Sequence, residues 1–266
     1  MKNIVLTFHN VTDPIWFEKT LRVLGRWFVF GTLDQLYQRL THGRGSMPRR
    51  MCFITLDDGE RSVYEVVYPI IKRLNIPIAM FVSPLNIREG GGAFWFQRMR
   101  VLAPHDMENM KNLSHMEIIA RINQLDPHGI SNANVNINRK MFDELYASGL
   151  VTFGAHTQHH PILANETDEV ITLEIRESVE QLADMLAQPV RYFAYPNGSA
   201  KDFSLREIAA LKQSGVLMAL STIHGYASAD DLYRVKRIGV TRGNQLHVMF
   251  KILFPNAFMR LKRLKQ

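Results

Sequence analysis

The sequence predicts an α/β protein in which a parallel β-sheet is covered by helices. Eight short apolar runs, rich in β-branched and aromatic residues, recur along the 266 residues, at positions 4–8, 27–30, 52–56, 78–82, 151–153, 190–195, 216–221 and 235–240. Segments with apolar residues at helical spacing lie between several of these runs. Because strands that are apolar along their whole length alternate with covering helices in parallel sheets, the pattern favours such a sheet, either open or closed as a barrel.

Helical spacing is clearest in three segments between the predicted strands. Apolar residues recur three or four positions apart in residues 33–40, 66–74 and 171–186. Residues at this spacing lie on one face of a helix, so we expect these three helices to pack on the sheet.

The stretch from about residue 86 to about residue 139 interrupts the alternation and is predicted to be an insertion. It opens with three glycines at 90–92, continues through Phe94, Trp95 and Phe96, and then becomes polar with many asparagines. Long excursions from a compact α/β core are usually lids or binding loops. The aromatic trio therefore either forms an apolar wall on a hinge or anchors the insertion to the core.

Positive charge is concentrated at one end of the chain. The formal net charge is +7, and residues 251–266 hold five of the Lys and Arg residues and no acidic residue. Because this excess is not spread along a groove and no nucleic-acid motif accompanies it, we expect no nucleic-acid partner. We expect residues 251–266 either to contact an anionic membrane surface or to dock on the barrel as a helix.

The first residues do not follow the pattern of a secretory signal. Only five residues separate Asn3 from His9, whereas a signal needs an apolar stretch of about 7 to 15 residues. No uninterrupted apolar segment reaches the roughly 18 residues of a membrane-spanning helix. We therefore expect a cytoplasmic protein, with membrane contact limited to its periphery.

Polar side chains suited to chemistry follow four of the apolar runs. These residues are His9, the pair Asp57 and Asp58, the pair His156 and His160, and Asn197. The carboxyl ends of parallel strands face the same side of the sheet, which is where ligands bind. The sequence therefore predicts that four segments distant along the chain line one pocket.

The two histidines and one carboxylate of this set are a typical ligand group for a catalytic metal. His156 and His160, four residues apart on a single turn, are expected to project to the same side. With one aspartate they leave one position of a tetrahedral site open, and the other aspartate can act as general base. Both aspartates can face the pocket only if the chain turns there, and Gly59 permits a turn. Each motif alone is weak evidence, because Asp-Asp-Gly is more often a simple turn.

At these residues the sequence resembles the metal-dependent polysaccharide deacetylases, and in particular the branch that contains poly-N-acetylglucosamine deacetylases. Residues 55–59, Thr-Leu-Asp-Asp-Gly, resemble the first family motif, and residues 154–161, Gly-Ala-His-Thr-Gln-His-His-Pro, resemble the second. Residues 6–11 and 193–198 resemble the corresponding segments of that branch. The resemblance extends over most of residues 3–240.

The resemblance implies a distorted parallel (β/α) barrel of about seven strands. The catalytic barrel would occupy residues 1–246 with the insertion at about 86–139, and residues 247–266 would form a basic amphipathic tail. Asp58, His156 and His160 would bind a divalent metal, with zinc expected first and Co²⁺, Ni²⁺ or Mn²⁺ as alternatives.

The resemblance also implies catalytic roles for three residues. Asp57 would be the general base, His9 the general acid, and the backbone N–H of Asn197 would bind the oxyanion. This sequence departs from the family at Ala194, because many members have an arginine there that orients the base. The Asp-rich fourth motif of the family is also not recognisable in it. The late family histidine has an uncertain counterpart in His224, so His9, His224 and other donors stay open as the acid.

The predicted reaction is the hydrolytic removal of an acyl group, above all acetyl, from the nitrogen of an amino sugar or glycan precursor. A cytoplasmic address favours a nucleotide- or lipid-linked sugar or a small N-acyl compound over a finished polymer. Two alternatives remain: a barrel that binds glycan without hydrolysis, and a deacetylase of a small non-sugar N-acyl amine. The sequence does not predict an oligomeric state.

Overall fold

The computed structural model of the protein describes residues 3–254 and Phe258. Within these residues there are eight strands: β1 (Ile4–Phe8), β2 (Val29–Gly31), β3 (Met51–Leu56), β4 (Ile78–Val82), β5 (Val151–Ala155), β6 (Tyr192–Ala194), β7 (Met218–His224) and β8 (Val235–Gly239). Each strand overlaps one of the eight apolar runs that predicted it.

The helices of the described residues alternate with the strands over much of the chain. They are α1 (Pro14–Gly25), α2 (Leu33–Thr41), α3 (Tyr68–Leu74), α4 (Pro84–Arg88), α5 (Trp95–Leu102), α6 (Met107–Met110), α7 (His115–Leu125), α8 (Arg139–Ala147), α9 (Asp168–Leu186), α10 (Leu205–Gln213) and α11 (Gln245–Leu253). A π-helical segment, Val63–Val67, leads directly into α3.

Seven strands close into a parallel barrel, which confirms the predicted fold. The sheet order is β1-β8-β7-β6-β5-β4-β3-β2, and a further pairing of β1 with β3 closes the ring and leaves β2 outside it. The closing pair is parallel and in register from Ile4 opposite Cys52 to Phe8 opposite Leu56. All strand pairs in the sheet are parallel, so all carboxyl ends lie at the same end of the barrel.

The strands are apolar along their length because both of their faces are buried. Alternate residues such as Leu6 and Ile54 pack in one large cluster with α1, α3 and α9, and their neighbours Val5 and Phe53 belong to a second cluster. Side chains alternate between the two faces of a strand, so one cluster lies under the helices and the other fills the barrel.

The predicted insertion contains α5, α6 and α7 and has a small apolar core of its own. Phe94, Trp95 and Phe96 are all buried in this core, together with Met99 and Ile118. The trio therefore anchors the insertion. Nearby, Gly91 has a φ of +81°, and a Cβ there would lie 2.4 Å from the Asn136 carbonyl oxygen, so this position requires glycine.

Helix α11 joins the last described part of the chain to the barrel. Val248 and Ile252 on this helix are buried in the main core, so the predicted boundary at residue 247 falls inside a packed helix. Residues 255–257 and 259–266 lie outside the described residues, and the predicted membrane contact of residues 251–266 stays a prediction. In the part of the chain that the structure describes, every helix is too short or too polar to cross a membrane.

Candidate active site

One cavity of about 280 Å³ lies at the carboxyl ends of the barrel strands. The predicted polar residues line it together: His9, Asp57, Asp58, His156, His160 and Asn197. The insertion supplies Trp95, Phe96, Arg100, Met107 and Lys111 on another side. The structure therefore brings the sequence-predicted set into one site, and it adds a wall that the motifs did not specify.

Asp58, His156 and His160 place three potential ligand atoms close together. Their donor atoms lie within 4.8 Å of one another, and all three residues are buried. The Oδ1 of Asp58 is 3.4 Å from Nε2 of His156 and 3.2 Å from Nε2 of His160. Zinc bonds of 2.0–2.1 Å in a tetrahedron separate adjacent donors by about 3.3 Å. The spacing and the donor types both fit a divalent metal ion.

The turn that lets both aspartates face the cavity begins one residue earlier than predicted. Asp58 itself has a φ of +72° and Gly59 has a φ of +71°. This left-handed pair turns the chain immediately after β3, so that consecutive carboxylates can both reach the cavity. A non-glycine residue in this region is uncommon and is found mostly where surrounding structure holds it.

The two histidines are not on a helical turn, which corrects the predicted reason for their proximity. Residues 156–160 form an irregular loop after β5, with φ values of +63° at Thr157 and +59° at His160. Thr157 Oγ1 accepts a hydrogen bond from the His160 N–H at 3.1 Å. Left-handed residues and this local bond, rather than helical periodicity, bring the two imidazoles together.

Hydrogen bonds from outside the loop fix its side chains and backbone. Nδ1 of His156 donates to the Ala194 carbonyl oxygen at 2.6 Å, which leaves Nε2 free of its proton and directed toward Asp58. Trp95 Nε1 donates to the His160 carbonyl oxygen at 2.8 Å. These contacts orient the ring of His156 and hold the backbone of His160.

Glu174 on α9 secures the same loop from the side away from the cavity. Its Oε2 accepts from the backbone N–H groups of Gln158 at 2.9 Å and His159 at 3.0 Å. Its Oε1 pairs with Nδ1 of His159 at 2.6 Å. This pairing directs His159 toward α9, away from the cavity that His156 and His160 line.

The electrostatics of the cluster keep its aspartate ionised. Burial alone would raise the pKa of Asp58, but its close contacts with the imidazoles of His156 and His160 outweigh burial and hold that pKa well below its usual range. Burial lowers the pKa of His160, because charging an imidazole in an apolar site is unfavourable. An anionic carboxylate beside a neutral imidazole is the protonation state that metal binding needs.

Asp57 is held by Arg237, a residue that the sequence analysis missed. Nη1 and Nη2 of Arg237 donate to the two carboxylate oxygens of Asp57 at 2.7 Å each. The guanidinium is completely buried, and its Nε donates to the Ser221 carbonyl oxygen at 2.9 Å. Burial would raise the pKa of Asp57, but the charge and hydrogen bonds of Arg237 lower it.

Arg237 makes the contact with Asp57 that the resemblance leads one to expect from an arginine at position 194, which here is alanine. It comes from β8, whose run was predicted only as an apolar strand. The available signal was its position two residues after Val235 on a buried strand, which directs a charged side chain into the barrel. A buried cation requires a partner, so such a residue indicates an internal carboxylate.

His9 and His224 differ in their relation to the cavity. Nε2 of His9 lies 3.9 Å from Oδ2 of Asp57, and its side chain is 51% exposed, so it can meet both substrate and solvent. His224, at the end of β7, is not among the residues that line this cavity, and its ring centroid is 6.0 Å from that of Phe258. Of the two histidines, only His9 lines the cavity.

Asn197 is held in a strained loop after β6. Its φ is +58°, and its Nδ2 donates to Oδ2 of Asp202 at 2.7 Å. The same oxygen accepts from the Ser199 N–H at 2.6 Å, and Thr222 Oγ1 donates to the Asn197 carbonyl oxygen at 2.8 Å. Asp202 is buried, and these bonds let it position the loop.

A closed parallel barrel with an oriented carboxylate beside a two-imidazole, one-carboxylate cluster has the construction of a metal-dependent hydrolase. The chain belongs to the polysaccharide deacetylase family, whose model matches residues 44–216. It is similar to a poly-beta-1,6-N-acetyl-D-glucosamine N-deacetylase of Staphylococcus epidermidis, with 23% identity over 207 residues that cover 74% of this chain and 57% of that protein. An enzyme of the same name from Staphylococcus aureus is 23% identical over 186 residues, which cover 67% of this chain and 50% of that protein.

Two solved structures share the fold over almost the whole chain. The Streptococcus pyogenes deacetylase PplD in complex with acetate has a TM-score of 0.68 at 18% identity and covers 95% of this chain and 98% of its own. IcaB from Ammonifex degensii has a TM-score of 0.69 at 20% identity, with 93% and 95% covered. The chain spans about half the length of the curated relatives it matches.

Proposed function

We propose that this chain is a metal-dependent hydrolase that removes the acetyl group from the nitrogen of an amino sugar in a glycan or glycan precursor. The observation that carries the proposal is the Asp58, His156 and His160 cluster beside the Arg237-oriented carboxylate of Asp57. Membership of a metal-dependent deacetylase family supports it, as do relatives named poly-beta-1,6-N-acetyl-D-glucosamine N-deacetylases.

Asp58, His156 and His160 would hold the divalent ion, and we propose zinc because two imidazoles and one carboxylate at this spacing suit its tetrahedral geometry. Co²⁺, Ni²⁺ and Mn²⁺ are alternatives, since imidazole also binds Ni²⁺ and carboxylate also binds Mn²⁺. When bound, the ion supplies Lewis acidity and lowers the pKa of water.

Asp57 accepts the proton of the attacking water in this proposal. Its lowered pKa keeps it ionised at neutral pH, and the fork of Arg237 fixes the direction of its two oxygens. A general base must lie within hydrogen-bond reach of the proton that it removes. The neighbouring position of Asp57 and Asp58 in the chain provides that reach.

His9 delivers a proton to the departing amine, and Asn197 stabilises the negative charge that develops on the acyl oxygen. An amide requires the first step because an amine anion is a very poor leaving group. The backbone N–H of Asn197 follows Pro196, which has no N–H, and the loop is fixed by Asp202. A donor held in advance stabilises an oxyanion without reorganisation.

The alternative of a glycan-binding barrel without activity rests on Ala194 and on the unrecognised fourth motif. The pairing of Arg237 with Asp57 weakens the first of these two reasons. A non-sugar N-acyl amine remains a second substrate class to be tested. The cytoplasmic address and the membrane contact of residues 251–266 stay predictions.

The proposal is tested by acetate release from N-acetylglucosamine oligomers and from small N-acetyl amines, before and after chelation and re-addition of Zn²⁺. We expect release from the sugars that stops on chelation and returns with the ion. Binding of oligomers without release would support the binding module, and faster release from the simple amines would support the non-sugar substrate.

A further inference from the structure

The insertion side of the catalytic cavity carries two cationic side chains. Arg100 lies on α5 beside the aromatic wall, and Lys111 follows the carboxyl end of α6. The guanidinium of Arg100 lies 5.2 Å from the ring centroid of Phe96. Both residues face the same cavity as the candidate metal cluster, although neither belongs to a recognised motif.

Each carboxylate that lines this cavity has a partner of its own. Asp57 is paired in bidentate fashion with Arg237, and Asp58 lies between two imidazoles, where the proposed divalent ion would balance its charge. Among the described lining residues, Asp57 and Asp58 are the only acidic ones. The charges of Arg100 and Lys111 are therefore left without a counter-charge on the cavity wall.

Acidic residues behind or outside the wall compensate the two cations only weakly. Lys111 contacts Glu108 at 2.7 Å, but the side chain of Glu108 is 83% exposed, so solvent screens that pair. Glu60 is buried near Arg100 and attracts it electrostatically, but it does not line the cavity. Within residues 3–254 and 258, no carboxylate forms an ion pair with Arg100.

We propose that the substrate is an N-acetylated amino sugar that bears a phosphate group, and that Arg100, assisted by Lys111, binds this phosphate. The inference rests on the proposed deacetylation. A guanidinium presents a fork of donors that matches phosphate oxygens, and two cations suit a dianion. A poly-N-acetylglucosamine chain is neutral and becomes cationic as acetyl groups are lost, so this wall would repel its product.

The phosphate could belong to a sugar phosphate, a nucleotide diphosphate or a lipid diphosphate, which share the same chemistry. Acetate release is therefore compared for N-acetylglucosamine 1-phosphate, UDP-N-acetylglucosamine, a short-chain prenyl diphosphate N-acetylglucosamine, and neutral chitotriose. We expect kcat/KM for at least one phosphate-bearing sugar to exceed that for chitotriose by about tenfold at low salt. The preference should shrink as ionic strength rises.

Arg100→Gln tests the residue that carries the inference. We expect this variant to lower the preference for the phosphate-bearing sugar by about fivefold. The matched control is Arg121→Gln, an exposed arginine on α7 of the same insertion that lies outside the cavity wall, and it should leave the preference unchanged. Unchanged preference in Arg100→Gln, or equal rates for phosphate-bearing and neutral sugars, overturns the assignment.

A binding measurement separates this inference from the proposed reaction. In the Asp57→Asn protein, quenching of tryptophan fluorescence should report N-acetylglucosamine 1-phosphate binding, since Trp95 lies in the wall. Arg100→Gln in that background should weaken binding about fivefold. If no sugar loses acetate but this loss of affinity is observed, the reaction fails and the phosphate site stands. If acetate is released and affinity is unaffected by Arg100→Gln, the phosphate site fails alone.

Discussion

The strand ends and the insertion contribute to the same cavity in different ways. At the strand ends, both aspartates and both metal-ligand histidines are buried, and several are tied to the barrel, as Asp57 is to Arg237 and His156 is to the Ala194 carbonyl. On the insertion, Trp95 and Phe96 form a packed wall, while the charged end of Arg100 is exposed. In the proposed function, the groups at the strand ends would carry out the reaction. The insertion, which has its own small core, would recognise the substrate.

The largest effect is expected at the strand ends, from Asp57→Asn. Removing the proposed base should lower kcat by about 10³-fold, within the range that general-base catalysis contributes. Because Asp57 is not a proposed ligand, the variant should retain its divalent ion, as measured by elemental analysis of the purified protein. Turnover near the wild-type rate would exclude Asp57 as the base.

The next effect is expected from Arg237→Met, which leaves the carboxylate of Asp57 buried and unpaired. Breaking a buried ion pair costs about 3–5 kcal/mol of unfolding free energy, measurable by urea denaturation. Without Arg237 burial dominates and raises the pKa of Asp57, so the acidic limb of the pH profile of kcat should move to higher pH.

Arg237→Lys is the matched variant for this prediction, because it keeps the charge but loses the fork. It should keep part of the stability that Arg237→Met loses, and it should shift the acidic limb of the pH profile by less. In the wild-type protein the pair stabilises the fold above the ordinary carboxyl pKa, and this contribution is lost as the pH falls through the lowered folded pKa. An unchanged acidic limb in both variants would contradict the positioning role.

A smaller effect is expected from Asp202→Ala, which releases the loop that presents Asn197. Loss of the bonds from Asn197 Nδ2 and the Ser199 N–H should lower kcat about tenfold while KM changes little, because the loop is proposed to act on the developing oxyanion. Asp230→Ala, at an exposed loop position, is the control. If the two substitutions changed kcat equally, Asp202 would have no specific role in positioning Asn197.

The smallest effect is expected on the insertion side, from Trp95→Phe. This change keeps the aromatic wall but removes the hydrogen bond to the His160 carbonyl, a loss of about 1 kcal/mol. Affinity for Zn²⁺, measured by competition with a chelating dye, should fall by about fivefold. Trp27→Phe, at a tryptophan that is 51% exposed, should leave it unchanged. If Trp95→Phe lowered the affinity for Zn²⁺ as much as His160→Ala does, Trp95 would contribute directly to metal binding.

The sequence predicted the strands and the reactive residues because each has a local signature. Buried strands are apolar throughout, and the residues that follow them fall at the same end of a parallel barrel. Arg237 has only a weak local signal, a charged residue on a buried strand, because its partner Asp57 is 180 residues away and only the closed barrel brings the two together.

Two other details depended on information that periodicity does not contain. The histidine loop is shaped by left-handed residues at Thr157 and His160, and such conformations follow from tertiary hydrogen bonds more than from sequence spacing. The boundary at residue 247 was predicted from the positive charge of the following residues. The apolar face of α11 extends across that position, and its residues Val248 and Ile252 reach the core.

The metal content of the protein, measured alongside acetate release, tests most directly whether the chain is a metal-dependent deacetylase. We expect one divalent ion per chain in the wild type and in Asp57→Asn, and strongly reduced content in His156→Ala and in Asp58→Ala. Acetate release should disappear with the ion and return on its re-addition to the wild type alone. Full acetate release from chelated protein, or undiminished metal content in both ligand variants, would contradict the proposed function.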